Sequence, residues 1–234
     1  HRERCDREAR RGGVWGAVYP MAGARVSWEA YLVNGFDERI LATEEGTRIA
    51  AGKGASEDAN AHPSMVGRLA ISPIPRVEVG FSGHRGPYNT WMLEGETIDA
   101  RRDLAIAALD LEARGDDWAV AGEAARAWID VPPGFAGLLA EEQDGWYLEG
   151  RYRFGSRMIA ELPDSAFVAA LRLERVDFDL ERTGDDVRRA IAGLSFRPTP
   201  DTAFKLDAVF TRTRDRFALP ASSTAVLAGI ATYF

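Results

Sequence analysis

Apolar and polar residues alternate with a period of two in one segment after another of this chain, and that pattern commits it to half-buried β-strands. In residues 202–212, Phe204, Leu206, Ala208 and Phe210 share one face, while Lys205, Asp207 and Thr211 share the other. Residues 145–154 set Trp146, Leu148, Gly150, Tyr152 and Phe154 against Tyr147, Glu149, Arg151 and Arg153. Residues 167–174 and 189–197 repeat the pattern, as do 104–113, where Ala105, Ala107, Leu109 and Leu111 oppose Asp110 and Glu112. Residues 118–129 alternate less cleanly: Val120, Gly122 and Ala124 oppose Glu123, but Arg126 falls on the apolar side. Earlier, Val77, Val79 and Phe81 oppose Glu78 and Ser82; Leu69 and Ile71 oppose Arg68; Trp28, Ala30 and Leu32 oppose Glu29. An apolar run at 14–19 and a last strand at 225–234 complete about eleven strands of roughly ten residues, the length of membrane-barrel strands. Residues 103–114 and 116–130 are Ala-rich and have a helical rival by propensity, but two alternating runs around Gly115-Asp116-Asp117 predict a hairpin.

Other classes fall away quickly. A hydrophobic content of 46% excludes a disordered chain. No segment supplies the ~20 consecutive apolar residues of a membrane helix, which leaves barrel strands open. The single cysteine, Cys5, excludes a disulfide scaffold and a Cys-based zinc site. A net charge of −7 argues against nucleic-acid binding, which needs a basic face. Residues 1–12, HRERCDREARRG, lack the apolar stretch of a secretory signal and read as a polar, disordered remnant before the folded part, 13–234.

The connections alternate in length. Those near Pro20, at 73–75, at 115–117 and at 198–201 are tight; those at 37–62, 85–102 and 132–144 are long, with medium ones at 180–186 and 215–222, and an intermediate one at 155–165 on the tight side is the weak point of the alternation. Short turns on one side and longer loops on the other are the asymmetry of an outer-membrane barrel. Trp118, Trp128, Trp146, Phe154, Phe167, Phe196, Phe204 and Phe234 cluster toward strand ends, as interfacial girdles do. The predicted fold class is therefore all-β, an antiparallel up-and-down transmembrane β-barrel or part of one. Its rival is a soluble secreted β-sandwich that binds carbohydrate or protein.

In the barrel reading, the face opposite the apolar one lines the pore. It carries six basic residues, Arg68, Arg151, Arg153, Arg172, Arg189 and Lys205, against eight acidic ones, Glu29, Glu78, Asp110, Glu112, Glu123, Glu149, Glu174 and Asp207. Charges cost little there, whereas lipid-facing charges cost ~2–4 kcal/mol at the midplane. The paired carboxylates of Asp110 and Glu112 are expected to meet arginines across the lumen rather than to do acid–base chemistry. Ser82 and His84 lie side by side without an orienting acid, and no histidine set or phosphate-binding glycine motif emerges, so neither catalysis, metal nor cofactor is expected. The acidic loop 37–62, with Asp37, Glu38, Glu44, Glu45, Glu57 and Asp58, is a solvated surface loop, an inward-folded constriction, or a divalent-cation site.

In order along the chain, WEAYLVNGF (28–36), MVGRLAISPIPRVEVGFSGHRG (65–86), LAIAALDLEARGDDWAVAGEAARAWID (104–130), GWYLEGRYRF (145–154), ALRLERVDFD (170–179), RPTPDTAFKLD (197–207) and LAGIATYF (227–234) resemble the phosphate-selective porin O and P family of bacterial outer-membrane proteins. The resemblance spans about residues 13–234. It implies an outer-membrane pore for passive diffusion of small hydrophilic solutes or ions, often a homotrimer, surrounded by membrane lipid and lipopolysaccharide. It also implies an assembly signal read by the barrel-assembly machinery, with Val226, Ala228, Ile230, Thr232 and Phe234 facing outward. This sequence departs from the family in two ways. Members have more strands, so 13–234 reads as the C-terminal part of a larger barrel that is incomplete by itself. Phosphate selectivity there depends on concentrated basic residues, whereas six against eight gives no anion-attracting lining, so the pore role carries over and the phosphate preference does not. A non-conducting outer-membrane barrel, an adhesin or scaffold, is the main alternative function.

Overall fold

A computed structural model describes residues 14–21, 23–41, 44–53, 62–156 and 158–232. The segment 1–12 with Cys5, the loop carboxylates Glu57 and Asp58, and Phe234 lie outside the described residues. The strands are β1 (Val14–Met21), β2 (Ala24–Asn34), β3 (Pro63–Ser72), β4 (Val77–Pro87), β5 (Met92–Leu93), β6 (Glu96–Thr97), β7 (Asp103–Arg114), β8 (Trp118–Ile129), β9 (Glu142–Phe154), β10 (Ala166–Asp177), β11 (Asp186–Thr199), β12 (Thr202–Arg214) and β13 (Pro220–Thr232). Eleven of them form one antiparallel sheet in chain order, and β5 and β6 make a separate hairpin. The sheet runs from edge β1 to edge β13, and no pairing joins these two edges among the described residues. Among the described residues the one other sheet is the two-stranded β5–β6 hairpin, so the β-sandwich does not form there. No described helix is long and apolar enough to cross a membrane.

The Ala-rich region 103–130 is the β7–β8 hairpin, paired from Leu104↔Ile129 to Arg114↔Ala119. Alternation outweighs helix propensity here because each strand finds a partner on both sides. Sequence reading missed β5 and β6 inside the connection 88–102. Their turn is Glu94-Gly95 with φ of 51° and 90°, positive at both centres as a tight hairpin requires. Several prolines stand inside strands. Pro63 and Pro220 open β3 and β13, Pro87 ends β4, and Pro198 falls where the β11–β12 register shifts between Phe196 and Thr199. At such ends and bulges a missing N–H breaks no ladder bond.

Residues directly opposite one another on neighbouring strands share a face. The row Asp110↔Glu123↔Tyr147↔Glu174↔Arg189↔Thr211 therefore fixes one face from β7 to β12. The next row, Leu109↔Ala124↔Trp146↔Arg175, fixes the other. Exposure is inverted relative to a water-soluble sheet. On the apolar face Leu109 is 56% exposed, Leu171 54% and Leu206 54%. On the charged face the side chains of Glu149 and Glu174 are only 16% and 19% exposed.

On the apolar face, at the tight-turn end, rings pack in a row along β9 and on across β10, β11 and β12. Centroid separations are 6.4 Å for Tyr152–Phe154, 5.7 Å for Phe154–Phe167, 5.0 Å for Phe167–Phe196 and 6.4 Å for Phe196–Phe204. Trp128 and Trp146 stand on the same face toward the loop end, both exposed. A strand of 13 residues such as β12 extends about 40 Å, and a tilt of ~40° brings that to about 30 Å, the thickness of a hydrocarbon core.

Candidate functional site

Every charged residue assigned to the inner lining from sequence falls on one face by register. Glu29 is opposite Arg68, Glu78 opposite Glu112, Asp110 opposite Glu123, Glu149 opposite Arg172, and Glu174 opposite Arg189. Arg151, Arg153, Lys205 and Asp207 continue the same alternation on β9 and β12.

Two clusters form on this face. In the first, Arg68 reaches Asp110 at 2.6 Å and Glu78 at 3.2 Å, and Ser72 Oγ donates to Glu78 at 3.4 Å. The Arg68–Asp110 contact crosses over β4 at Gly80, where a Cβ would lie 2.3 Å from Asp110 Oδ2. In the second, Arg151 pairs with Glu149, which Arg172 approaches at 3.5 Å. Arg172 also pairs with Glu174 at 2.8 Å, Glu174 with Arg189 at 2.6 Å, and the Arg172 guanidinium lies 3.9 Å from the Tyr147 ring centre. Carboxylates and guanidiniums thus alternate across β9, β10 and β11. Arg153, Glu123, Lys205 and Asp207 share the face and join no ion pair among the described residues. Glu29 accepts from the Tyr31 hydroxyl, and Glu112 lies 4.0 Å from Arg114.

Above these clusters the connection after β2 turns inward. Ile40 is fully buried in a core with Tyr88, Leu104, Ala127, Ile129 and Val131, against which Phe36, Ile49 and Leu139 pack. Leu104, Ala127 and Ile129 belong to the charged face, since Leu104 and Ile129 are partners two and six positions along from Ile106 and Asp110. Residues 35–41 and 44–53 therefore lie across the sheet rather than out in solvent. Near their start the Phe36 ring meets His84 of β4 edge-on at 5.1 Å, and Glu38 accepts from the Thr90 backbone at 2.7 Å. Further on, Thr47 Oγ1 accepts from the Ala140 N–H at 3.0 Å, and Gln143 donates to the Thr47 carbonyl at 3.0 Å. Arg48 then forms a two-point contact with Asp185 in the β10–β11 connection, at 3.0 and 2.6 Å, with its guanidinium 4.0 Å from the Phe178 ring centre. The strap so formed runs from β4 to the β10–β11 loop.

Asp37 caps the short 3-10 turn Glu38–Ile40 by accepting from the Arg39 N–H. The Arg39 guanidinium beside it holds the Asp37 carboxyl below the usual carboxylate range. Burial pushes the Tyr88 phenol well above its ordinary value, and its hydroxyl donates to the Asp130 carbonyl at 2.6 Å. No group of three or more potential metal ligands occurs among the described residues. Sequence reading missed the Thr47, Arg48 and Asp185 contacts. No local signal marks a pair 137 residues apart.

At the last strand, Val226, Ala228, Ile230 and Thr232 stand opposite Ala208, Leu206, Phe204 and Thr202, on the apolar face.

No protein-family model matches the chain, and no curated protein matches it. Solved structures do. An anion-selective porin from Comamonas acidovorans aligns with a TM-score of 0.55 at 12% identity, over 94% of this chain and 58% of its own. A porin refined at 1.8 Å resolution aligns at 0.54 and 14% identity, over 95% and 62%. The outer-membrane channel DcaP of Acinetobacter baumannii aligns at 0.54 and 10% identity, over 93% and 61%. The fold is thus that of the bacterial outer-membrane porins, and the sheet corresponds to a large part of such a barrel wall. This chain spans about three fifths of the length of these porins.

Proposed function

We propose that this chain forms the wall of a bacterial outer-membrane porin through which small hydrophilic solutes or ions diffuse passively, without turnover or cofactor. The observation that carries this reading is the inverted exposure of the sheet: leucines and phenylalanines bare on one face, shielded ion pairs on the other. In lipid the bare face is satisfied, and the charged face bounds a wet lumen. The porin-type fold and the sequence resemblance to the porin O and P family support the same reading. The lining consists of Glu29, Arg68, Glu78, Asp110, Glu112, Glu123, Glu149, Arg151, Arg153, Arg172, Glu174, Arg189, Lys205 and Asp207, narrowed by the strap segments 35–41 and 44–53. Its slight acidic excess predicts weak cation preference or none, and no phosphate-specific binding. Residues 13–234 act as one transmembrane domain, its edges β1 and β13 paired in the membrane by further strands. Val226, Ala228, Ile230, Thr232 and Phe234 present the outward pattern read by the barrel-assembly machinery, and the assembled protein is a homotrimer in lipid and lipopolysaccharide.

Planar-bilayer recording under a salt gradient tests this. Discrete channels with a reversal potential near zero or slightly cation-selective are expected. The packing of the strap over the charged face favours one rival, a non-conducting barrel that serves as adhesin or scaffold. Membrane-inserted protein without channels would establish that rival.

A further inference from the structure

On the apolar face, Arg175 stands directly opposite Arg188, and Arg188 directly opposite Arg212. Three guanidiniums therefore line up across β10, β11 and β12, roughly 5 Å from one strand to the next. Like charges placed directly opposite one another are destabilising unless something neutralises them. The acidic neighbours do so incompletely. Arg175 pairs with Asp177 at 2.7 Å, and Arg188 reaches Asp186 at 3.7 Å, but Asp186 is already held by Arg214. Arg212 is exposed and joins no ion pair among the described residues. The buried Arg175 Nε has no hydrogen-bond partner.

The row's height on the sheet identifies what is missing. One pair of residues toward the tight turns, the same face carries Leu173, Ala190 and Phe210. One pair toward the loops lie Asp177, Asp186 and Arg214. Trp146, directly opposite Arg175, extends the row onto β9. A tryptophan beside arginines at the rim of an apolar band marks the headgroup level of a bilayer. An anion there is tethered to acyl chains that lie on the leucines and phenylalanines below.

We propose that Arg175, Arg188 and Arg212 bind the phosphate of a lipid headgroup in the leaflet on the loop side, as the phosphorylated glucosamine lipids of an outer leaflet would present it. This rests on the porin reading above. Guanidinium forks suit phosphate oxygens, and a desolvated, charge-assisted contact of this kind is strong.

The test uses the full chain folded into nanodiscs of uncharged lipid. Folding is checked first by protease protection, and failure to insert at all would sink the porin reading and this one with it. Lipid A carrying its phosphates, the same lipid with phosphates removed, and inorganic phosphate are then titrated, with bound lipid counted by native mass spectrometry. We expect retention of the phosphorylated lipid alone, weakened roughly tenfold or more in the R188Q/R212Q double variant. R197Q, on the charged face near the tight turns, should bind like the parent. If the double variant fails to insert, R212Q alone gives the same reading, since Arg212 holds no described ion pair. Equal retention by parent and variant overturns the proposal, as does equal retention of dephosphorylated lipid. Full competition by inorganic phosphate at equal concentration, or loss of oligomer in the variant without loss of lipid, overturns it too.

Discussion

At Gly80 of β4 an added Cβ would sit 2.3 Å from Asp110 Oδ2 and 2.4 Å from Arg68 Nη2, inside the ion pair that bridges β3 to β7. Glycine is needed there for space, because the pair passes directly over the backbone. Gly80→Ala should separate Arg68 from Asp110. Since Arg68 is 36% exposed, the stability lost should be under about 1 kcal/mol by urea titration, while the reversal potential in bilayers shifts as the freed charges rearrange. An unchanged reversal potential would place this pair away from the conduction path. Asp37 makes a pH prediction. Its carboxyl is held low by Arg39, so its contribution to the strap's first turn is complete above the ordinary carboxylate range, near pH 4. That contribution is lost only as pH falls through the depressed value. The protection of residues 37–41 against hydrogen exchange, taken relative to the intrinsic rate at each pH, should stay flat from pH 7 down to about pH 4 and fall below it, with Asp37→Asn lowering protection at every pH. A fall near pH 6 would point to a histidine instead.

Strands and strap each carry a prediction at the scale of the element. Leu206 and Asp207 are neighbours on β12 with opposite faces, so the proposed function sets one against lipid and the other against the lumen. Leu206→Arg should cost ~2–4 kcal/mol of membrane folding stability, read by urea titration in vesicles. Asp207→Arg should leave stability nearly intact and move selectivity toward anions. The reverse outcome would mean that the register is off by one and both faces are exchanged. The ring ladder predicts that Phe196→Ala loses two aromatic contacts, with Phe167 and Phe204, together worth about 1–3 kcal/mol. For the strap, Arg48→Gln removes the tether to Asp185. The segment 44–53 should then become a protease target, and single-channel conductance should rise. Protection equal to that of the parent would assign the strap's position to its apolar contacts around Ile40 alone.

Across the whole sheet, the edges β1 and β13 present ladder groups that find no partner among the described residues. Each unsatisfied N–H or C=O in hydrocarbon costs several kcal/mol, so a membrane would not tolerate two such edges. Further strands between them, rather than direct closure, are the proposed remedy. In a Cys5→Ser background, cysteines placed at Gly16 of β1 and Gly229 of β13 should therefore not cross-link in the membrane-folded protein. A quantitative disulfide between them would demonstrate a self-closed small barrel.

The alternation of residue types was enough by itself to determine the eleven strands of the main sheet, their order of faces, the hairpin at 115–117 and the split between tight turns and long loops. These are local properties: a period of two places every second side chain on one side, whatever lies next to it. It also determined that Arg151, Glu149, Arg172, Glu174 and Arg189 would share a side, though not which would pair. Only the tertiary structure decided the paths of residues 35–41 and 44–53, because Ile40 finds its burial against Leu104 and Ile129, and Arg48 its partner at Asp185, far away in the chain. It alone aligned Arg175, Arg188 and Arg212, since a cross-strand row depends on register, and register is set jointly by turns and bulges on separate hairpins. Arg126 shows the division most simply. The sequence placed it on the apolar side as an irregularity, and the fold answers it with Glu142 across the strand pair, near the loop end of the sheet.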